Sequence, residues 1–373
     1  MAGWKWVRGF LKLNPRLSLR TPENTSLARA QAFNKPNICA YFTALAHILD
    51  EFQFPPENIY NIDESGLTTV QKRSQKIYAS KGRKQVGALS SAERGLHITV
   101  VCAMNAIGTY VPPALIFPRQ RKKDELMIDA PTGSVAFAQE KGWMTSDMFC
   151  LWLQHFLRYS KASKTNQVLL LLDGHGSHKS FEALQFAKEN GIIMFCFPAH
   201  CSHHVQPLDV GFFRPLQTYY GQEIQLWLRQ NPGKTVTQFK VASIFNNAHL
   251  KSALPSIAIN AFKKTGIEPF NPDAFEDWQF LPSITTDREN YEQNPLPGCS
   301  DENSLPEHRN QNVSVIECVT QKRGRKRGKT GYLNSTPEID DINQKIAEKE
   351  AKKKKKRRKK SKKASSCFNY KQF

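Results

Sequence analysis

Apolar residues recur every three or four positions in several stretches of the chain, the pattern of a helix with one buried face. In residues 36–52, for example, Ile38, Phe42, Leu45 and Leu49 follow this spacing. Hydroxyl side chains stand at the predicted starts of two helices, where they can accept a hydrogen bond from the first turn. The predicted helices cover residues 25–30, 36–52, 146–159, 180–189 and about 210–229.

Short runs of strand-forming residues lie between these helices. Residues 168–173 are a continuous apolar run ending in Asp173, which is typical of a strand buried on both faces. The turn at Gly108 joins two runs that predict a β-hairpin. The predicted strands cover residues 58–63, 96–105, 110–117, 168–173 and 192–197, the first stopping before Gly66. This order of strands and helices favours an α/β fold, a mixed sheet flanked by helices.

Two of the apolar strands end in an aspartate followed by a turn, at Asp63 and Asp173, and Asp209 precedes a helix. Carboxylates at strand ends lie at the edge of a sheet, where ligand sites of α/β proteins form. Three carboxylates in one cleft repel each other unless a cation such as Mg²⁺ or Mn²⁺ binds them. A second interpretation stays open, because aspartate before glycine is also a common turn or cap residue.

The charge is concentrated at one end of the chain. The net charge is +20, and residues 322–373 carry +15 of it, with 20 Lys or Arg against 5 Asp or Glu. A basic protein of this kind most often binds nucleic acid. No run of about 18 apolar residues exists, so we expect no membrane span. The eight cysteines are scattered, mostly in apolar stretches, which favours reduced thiols over a disulfide framework.

Three motifs resemble the DDE-type transposases of the pogo/Tigger group, which includes the Jerky and Tigger-derived proteins. They are YNIDESG at residues 60–66, LLDGHGSH at residues 171–178 and QPLDVG at residues 206–211. The resemblance implies a ribonuclease-H-like fold, with Asp63, Asp173 and Asp209 as catalytic residues that bind two Mg²⁺ or Mn²⁺ ions. It also implies cleavage and strand transfer of DNA, and a homodimer on the DNA because two ends must be joined.

Several side chains near the trio are candidates for supporting roles. Glu64, His175 and His178 are interpreted as groups that contact the metal ligands or the phosphate. Their alternative interpretations are structural, since strand alternation directs Glu64 away from Asp63 and a histidine in a turn can cap the loop. Cys196, Cys201 and three histidines crowd into residues 196–204, but their spacing is unlike that of a zinc site.

The sequence predicts three segments. Residues 1–35 are an irregular linker after a missing helix-turn-helix region, residues 36–280 the catalytic domain, and residues 281–373 a disordered basic tail. The predicted DNA-binding residues of the tail are Arg323, Arg325, Arg327, Lys352, Lys353, Lys354, Arg357 and Arg358. The lysine-rich run also predicts a nuclear location. We expect an enzyme or, alternatively, a domesticated and catalytically silent DNA- or chromatin-binding protein in the nucleus.

Overall fold

The sheet is mixed and central. The computed structural model describes residues 3–18, 25–70, 95–284, 331–333 and 344, and within these ranges seven strands form one sheet. The strands are β1 (Ile59–Thr68), β2 (His97–Asn105), β3 (Tyr110–Pro118), β4 (Val135–Gln139), β5 (Val168–Leu172), β6 (Ile192–Cys196) and β7 (Gly331–Tyr332). Their order across the sheet is β4-β3-β2-β1-β5-β6-β7.

Strand directions follow from the connections. The hairpin partners β1, β2 and β3 pair antiparallel, whereas β5 lies parallel to β1 and β6 parallel to β5. The long connections that include helices allow the parallel pairs. The prediction of a ribonuclease-H-like α/β fold is confirmed by this mixed sheet and its helical layers.

Helices cover both faces of the sheet. They are α1 (Trp4–Leu13), α2 (Leu27–Ala32), α3 (Lys35–Phe52), α4 (Ser146–Ser160), α5 (Phe181–Glu189), α6 (Ser202–Val205), α7 (Phe213–Gln230), α8 (Gln238–Ser252), α9 (Pro255–Lys264) and α10 (Leu281–Ile284). One core contains residues of α3, α7, α8 and α9, and the other contains residues of α4 and α5. Because β5 lies between these two cores, all five of its side chains are buried.

The elements with a strong pattern were predicted correctly. The structure confirms the helix at α3, the β2–β3 hairpin and the capping of α4 by the side chain of Thr145. The predicted end of β1 before Gly66 is wrong. Gly66 pairs with Thr99 of β2, and the ladder of hydrogen bonds continues to Thr68.

Other elements were not predicted. No pattern indicated α8, α9 or the short edge strand β4, and residues 4–13 form a helix where we expected an irregular linker. None of the side chains of α1 is buried.

The segment boundary that we placed at residue 280 does not coincide with the end of the described packing. Helix α10 contacts α2, and β7 pairs with β6, with Leu333 in the core beside it. Apart from residue 344, the rest of the tail that we expected to be disordered lies outside the described residues. Among the described helices, none has the length and apolar character needed to cross a bilayer.

Candidate active site

Asp63 lies in the middle of β1 at the level where β5 ends. The register pairs Asn61 with Leu171, so Asp63 is level with Asp173, two residues further along each strand. Burial raises the pKa of Asp63 well above its usual range, and the negative charges of Asp209, Glu64 and Asp173 raise it further. Asp63 is therefore a carboxyl group whose negative charge the surrounding protein does not balance.

Asp173 directly follows β5 and is held by two donors. The backbone N–H of His175 donates to Oδ1 of Asp173 at 3.0 Å, and Nδ1 of His178 lies 3.0 Å from the same oxygen. Burial acts to raise the pKa of Asp173, but the hydrogen bond and charge of His178 and the His175 N–H outweigh it. The pKa of Asp173 is therefore lowered, and its carboxylate is ionised.

His178 joins two carboxylates from different parts of the chain. Its Nε2 lies 3.3 Å from Oε1 of Glu64, and its side chain is only 2% exposed. Burial lowers the pKa of His178, but the hydrogen bonds and charges of Asp173 and Glu64 outweigh it and raise the pKa to about 10. His178 is therefore an imidazolium at neutral pH. Its ring packs on that of Phe149 with centroids 4.4 Å apart.

Asp209 lies in a turn with π-helical spacing, Leu208–Phe212, that leads into α7. Burial raises its pKa, as does the charge of Asp173, whereas the hydrogen bond from Ser202 and the charge of Arg29 act in the opposite direction. The net shift is upward. The turn approaches α9 closely, since a Cβ at Gly211 would lie 2.5 Å from the Cβ of Ala261.

Asn61 connects the three segments that carry the aspartates. Its side chain is fully buried, and Nδ2 donates to the carbonyl oxygens of Leu171 at 3.1 Å and Ile62 at 3.2 Å. Its Oδ1 accepts the backbone N–H of Leu208 at 2.9 Å. One amide thus contacts the backbone next to Asp63, next to Asp209 and two residues before Asp173. Asn61 lies in the first of the three motifs, but the motif alone predicts no role for it.

The three aspartates come from separate elements and lie close enough for each to act on another electrostatically. Among the described residues, however, no three His, Cys, Asp or Glu side chains are already arranged as a metal cage. The donors nevertheless suit a hard divalent cation, because carboxylate oxygens are its preferred ligands and a cation would relieve the raised pKa values of Asp63 and Asp209.

The remaining candidate residues have different surroundings. His175 caps the short turn Gly176–Lys179, where its ring accepts the backbone N–H of Ser177. Glu64 lies on the same face of the sheet as Tyr60 and Ile62, and reaches His178 from there. The predicted DNA-binding residues of the tail, between Arg323 and Arg358, lie outside the described residues.

Comparison with protein families gives a match to the DDE superfamily endonuclease family over residues 96–261. This range includes Asp173 and Asp209 and begins after Asp63. It contains β2 to β6 and continues into α9.

Two curated proteins are similar to this chain. The MFS-type transporter clz9 of Cochliobolus lunatus is 28% identical over 219 residues, which are 58% of this chain and 24% of that protein. The human pogo transposable element with ZNF domain is 28% identical over 166 residues, which are 44% of this chain and 11% of that protein. The chain therefore spans a quarter or less of the length of either relative.

Among solved structures, the Mos1 transposase paired-end complex with the left transposon end is similar with a TM-score of 0.40 and 12% identity, covering 70% of each chain. The Mos1 strand transfer complex has a TM-score of 0.44 and 11% identity, covering 71% of this chain and 67% of that one.

The family match covers the part of the sheet that contributes Asp173 and Asp209. Residues 96–261 therefore resemble a DDE superfamily endonuclease domain, and the chain is similar to a pogo transposable element protein, in keeping with its three motifs and strand order.

Proposed function

We propose that this protein is a metal-dependent endonuclease that cleaves DNA phosphodiesters and transfers the strand, with Asp63, Asp173 and Asp209 as the catalytic residues. The observation that carries the proposal is the position of these carboxylates, with Asp63 level with Asp173 in the β1–β5 register and both Asp209 and Asp173 acting electrostatically on Asp63. Two of the three have raised pKa values that partly reflect their mutual repulsion.

The three aspartates would hold two Mg²⁺ or Mn²⁺ ions. When bound, such ions supply Lewis-acid activation of water and neutralise charge on the phosphate. The protein's own groups prepare the ligands for this. His178 orients the carboxylate of Asp173, the Ser202 hydroxyl donates to Asp209, and Asn61 fixes the backbone beside all three.

The proposal includes the substrate, the cellular location and the oligomeric state. DNA is the expected substrate because the chain carries a net charge of +20, and association with phosphates releases counterions. We propose that the basic cluster of residues 352–363 directs the protein to the nucleus, and that a homodimer acts on two DNA ends. Both statements rest on sequence features.

Metal binding and nicking test the function directly. Mg²⁺ or Mn²⁺ should raise the melting temperature of the full chain, because a ligand that binds the native state stabilises it by mass action. Asp209→Asn should reduce this rise strongly and abolish nicking of supercoiled plasmid. Asp50→Asn is the matched control, because Asp50 is exposed on α3. Nicking by Asp209→Asn equal to the wild type would exclude the proposed site.

The second candidate function is a silent DNA- or chromatin-binding protein. It is favoured by the charge distribution, since residues 322–373 carry +15 and would bind DNA without any contribution from the aspartates. Retained DNA binding with neither metal response nor nicking in the wild type would establish this alternative.

A further inference from the structure

A cleft of ≈ 290 Å³ opens beside Asp173, where β5 and β6 end. We call it the Arg29 cleft. Its polar lining comes from Arg29, Asp173, His175, His200 and Ser202, and its apolar wall includes Phe197 and Pro198. The cleft thus continues the candidate active site on the side away from β1.

Arg29 gives this cleft a positive charge that is not neutralised by an ion pair. Within the described part of the chain, its guanidinium has no carboxylate partner at ion-pair distance. Its charge acts on the surrounding groups, because Arg29 contributes to the lowered pKa of His203 and opposes the rise in the pKa of Asp209. The guanidinium therefore lies close to the carboxylates while remaining available to an external anion.

Helix α2 holds Arg29 in this position by packing at its end. Phe33, the residue that ends α2, is 3% exposed and stacks on His204 of α6 with ring centroids 3.9 Å apart. It also stacks on Phe280 at 5.0 Å. Because Ser202 begins α6, the same contact fixes Arg29 relative to the hydroxyl that donates to Asp209.

A nucleotide fits this combination better than a simple anion does. A guanidinium is a bidentate donor to phosphate, and histidine rings and an apolar wall suit a base and sugar. The volume lies just below the range of about 300–1,000 Å³ typical of small-molecule pockets, so it admits one nucleotide and not a length of duplex. Asp173 on the wall places that nucleotide next to the proposed reaction site.

We propose that the Arg29 cleft binds one nucleotide of the DNA strand adjoining the cleavage site, with the guanidinium of Arg29 on its phosphate. This inference rests on the proposed function, because it names the part of the substrate that the cleft takes. It gives α2, which lies in the segment before the predicted catalytic domain, a direct role in holding the substrate.

Thymidine 3′,5′-bisphosphate is the probe, since it has a phosphate on each side of the sugar but no diester bond to cleave. It is titrated into the full chain, once in EDTA and once in Mg²⁺, while the melting temperature is followed. Wild type is compared with Arg29→Ala, Arg29→Lys and Arg229→Ala. Arg229 is exposed at the far end of α7, about 30 Å along that helix from Asp209.

The probe should raise the melting temperature of the wild type and of Arg229→Ala equally. In Arg29→Ala the half-saturating concentration should rise about tenfold or more, as expected for the loss of a charge-assisted contact. Arg29→Lys should be intermediate, because it keeps the charge but not the planar fork. The basic tail is the same in all four proteins, so its binding cancels in the comparison.

Three results would overturn the inference: no shift in the wild type at millimolar probe in either buffer, an equal shift in Arg29→Ala, or an equal Arg29-dependent shift with inorganic phosphate alone. The last would identify a simple anion site. None of these readouts depends on cleavage. A wild type that binds the probe through Arg29 but fails to nick DNA would contradict the proposed function and leave only the nucleotide binding of the cleft standing.

Discussion

The two sides of the candidate active site differ in how their charge is balanced. At the end of β5, Asp173 is paired with the buried imidazolium of His178, and its pKa is lowered. On the other side, Asp63 and Asp209 have raised pKa values, because burial and neighbouring carboxylates outweigh their donors. The protein itself stabilises one carboxylate and leaves the other two to an external cation.

This difference predicts that the acidic cluster tolerates the absence of metal. The fixed ion pair holds one ligand in place before any ion binds, while Asp63 and Asp209 can share or take up protons. Binding of a divalent cation would release those protons, so the difference between the two sides can be tested by substitutions on each of them.

The largest effect is expected from His178→Ala. It leaves the carboxylates of Asp173 and Glu64 without their buried cation, at a cost of about 3 kcal/mol in the free energy of unfolding. This is the low end of the usual range, because the side chain of Asp173 is 39% exposed. Urea denaturation measures it.

His155→Ala is the control for that substitution. His155 is also buried, but among the described residues it has no carboxylate at ion-pair distance, and its Nε2 lies 2.8 Å from the carbonyl oxygen of Pro112, so we expect a smaller loss of about 1 kcal/mol. Equal losses in the two variants would show that the ion pair with Asp173 adds nothing beyond packing.

Asn61→Ala should cost about 2 kcal/mol of stability, because it removes a buried amide that bonds to three backbone groups. It should also raise the Mn²⁺ concentration needed for half of the rise in melting temperature, since the three aspartates lose their common support. Asn58→Ala is the matched control. Asn58 is buried just before β1 and bonds to Asn166 and Gln167, away from the carboxylates.

A similar metal response in both asparagine variants would show that Asn61 supports only the fold. Asn61→Asp should not restore the metal-induced rise in melting temperature, because an aspartate cannot donate to the carbonyl oxygen of Leu171 and would add a fourth negative charge. A restored rise would contradict the role of Asn61 as a support for the three aspartates.

Asp63→Asn and Asp173→Asn should change stability in opposite directions in EDTA. The pKa of Asp63 is higher in the folded protein than in the unfolded chain, where it is about 3.9. Ionisation of Asp63 therefore destabilises the folded protein as the pH rises above that value. Asp63→Asn should therefore stabilise by about 1 kcal/mol at pH 8 and less at pH 5. The lowered pKa of Asp173 contributes stability at both pH values, which Asp173→Asn should remove.

Melting curves at the two pH values measure this contrast. Shifts of the same sign in the two variants would mean that the two sides of the site do not differ in charge balance.

The smallest effect is expected from Ser202→Ala, at about 0.5–1 kcal/mol for one hydrogen bond to a partly exposed carboxylate. Because the hydroxyl lowers the pKa of Asp209, its loss should weaken Mg²⁺ binding more at pH 6 than at pH 8. Isothermal titration calorimetry at both pH values measures this. A pH-independent change would place the role of Ser202 elsewhere.

Much of the fold was predictable because the spacing of apolar residues along the chain matches the faces that the helices and strands bury in the core. The three- and four-residue spacing of α3 matches its one buried face, and Ser26 and Thr145 cap their helices as predicted. The apolar run of β5 indicated burial on both faces, and its side chains are buried between the two cores. Helices α8 and α9 were not predicted, because no helical pattern was assigned to residues 231–280.

The site was predictable only as a set of residues. Strand ends and motifs pointed to Asp63, Asp173 and Asp209, and the same reasoning placed Glu64 on the opposite face from Asp63. It could not show that Glu64 meets His178, which lies 114 residues away, nor that Asn61 reaches Leu208 across 147 residues. Contacts at such separations leave no local spacing in the sequence.

By itself, the amino-acid sequence determined the strands and helices of the sheet's centre, the concentration of positive charge in the tail and the identity of three carboxylates. These follow from periodicity, composition and position in a strand, which are properties of neighbouring residues. The tertiary structure alone decided which of those carboxylates is balanced by His178 and which are not, and that α2 brings Arg29 to the cleft beside Asp173. Such properties depend on burial and on distances between remote segments, which exist only once the chain has packed.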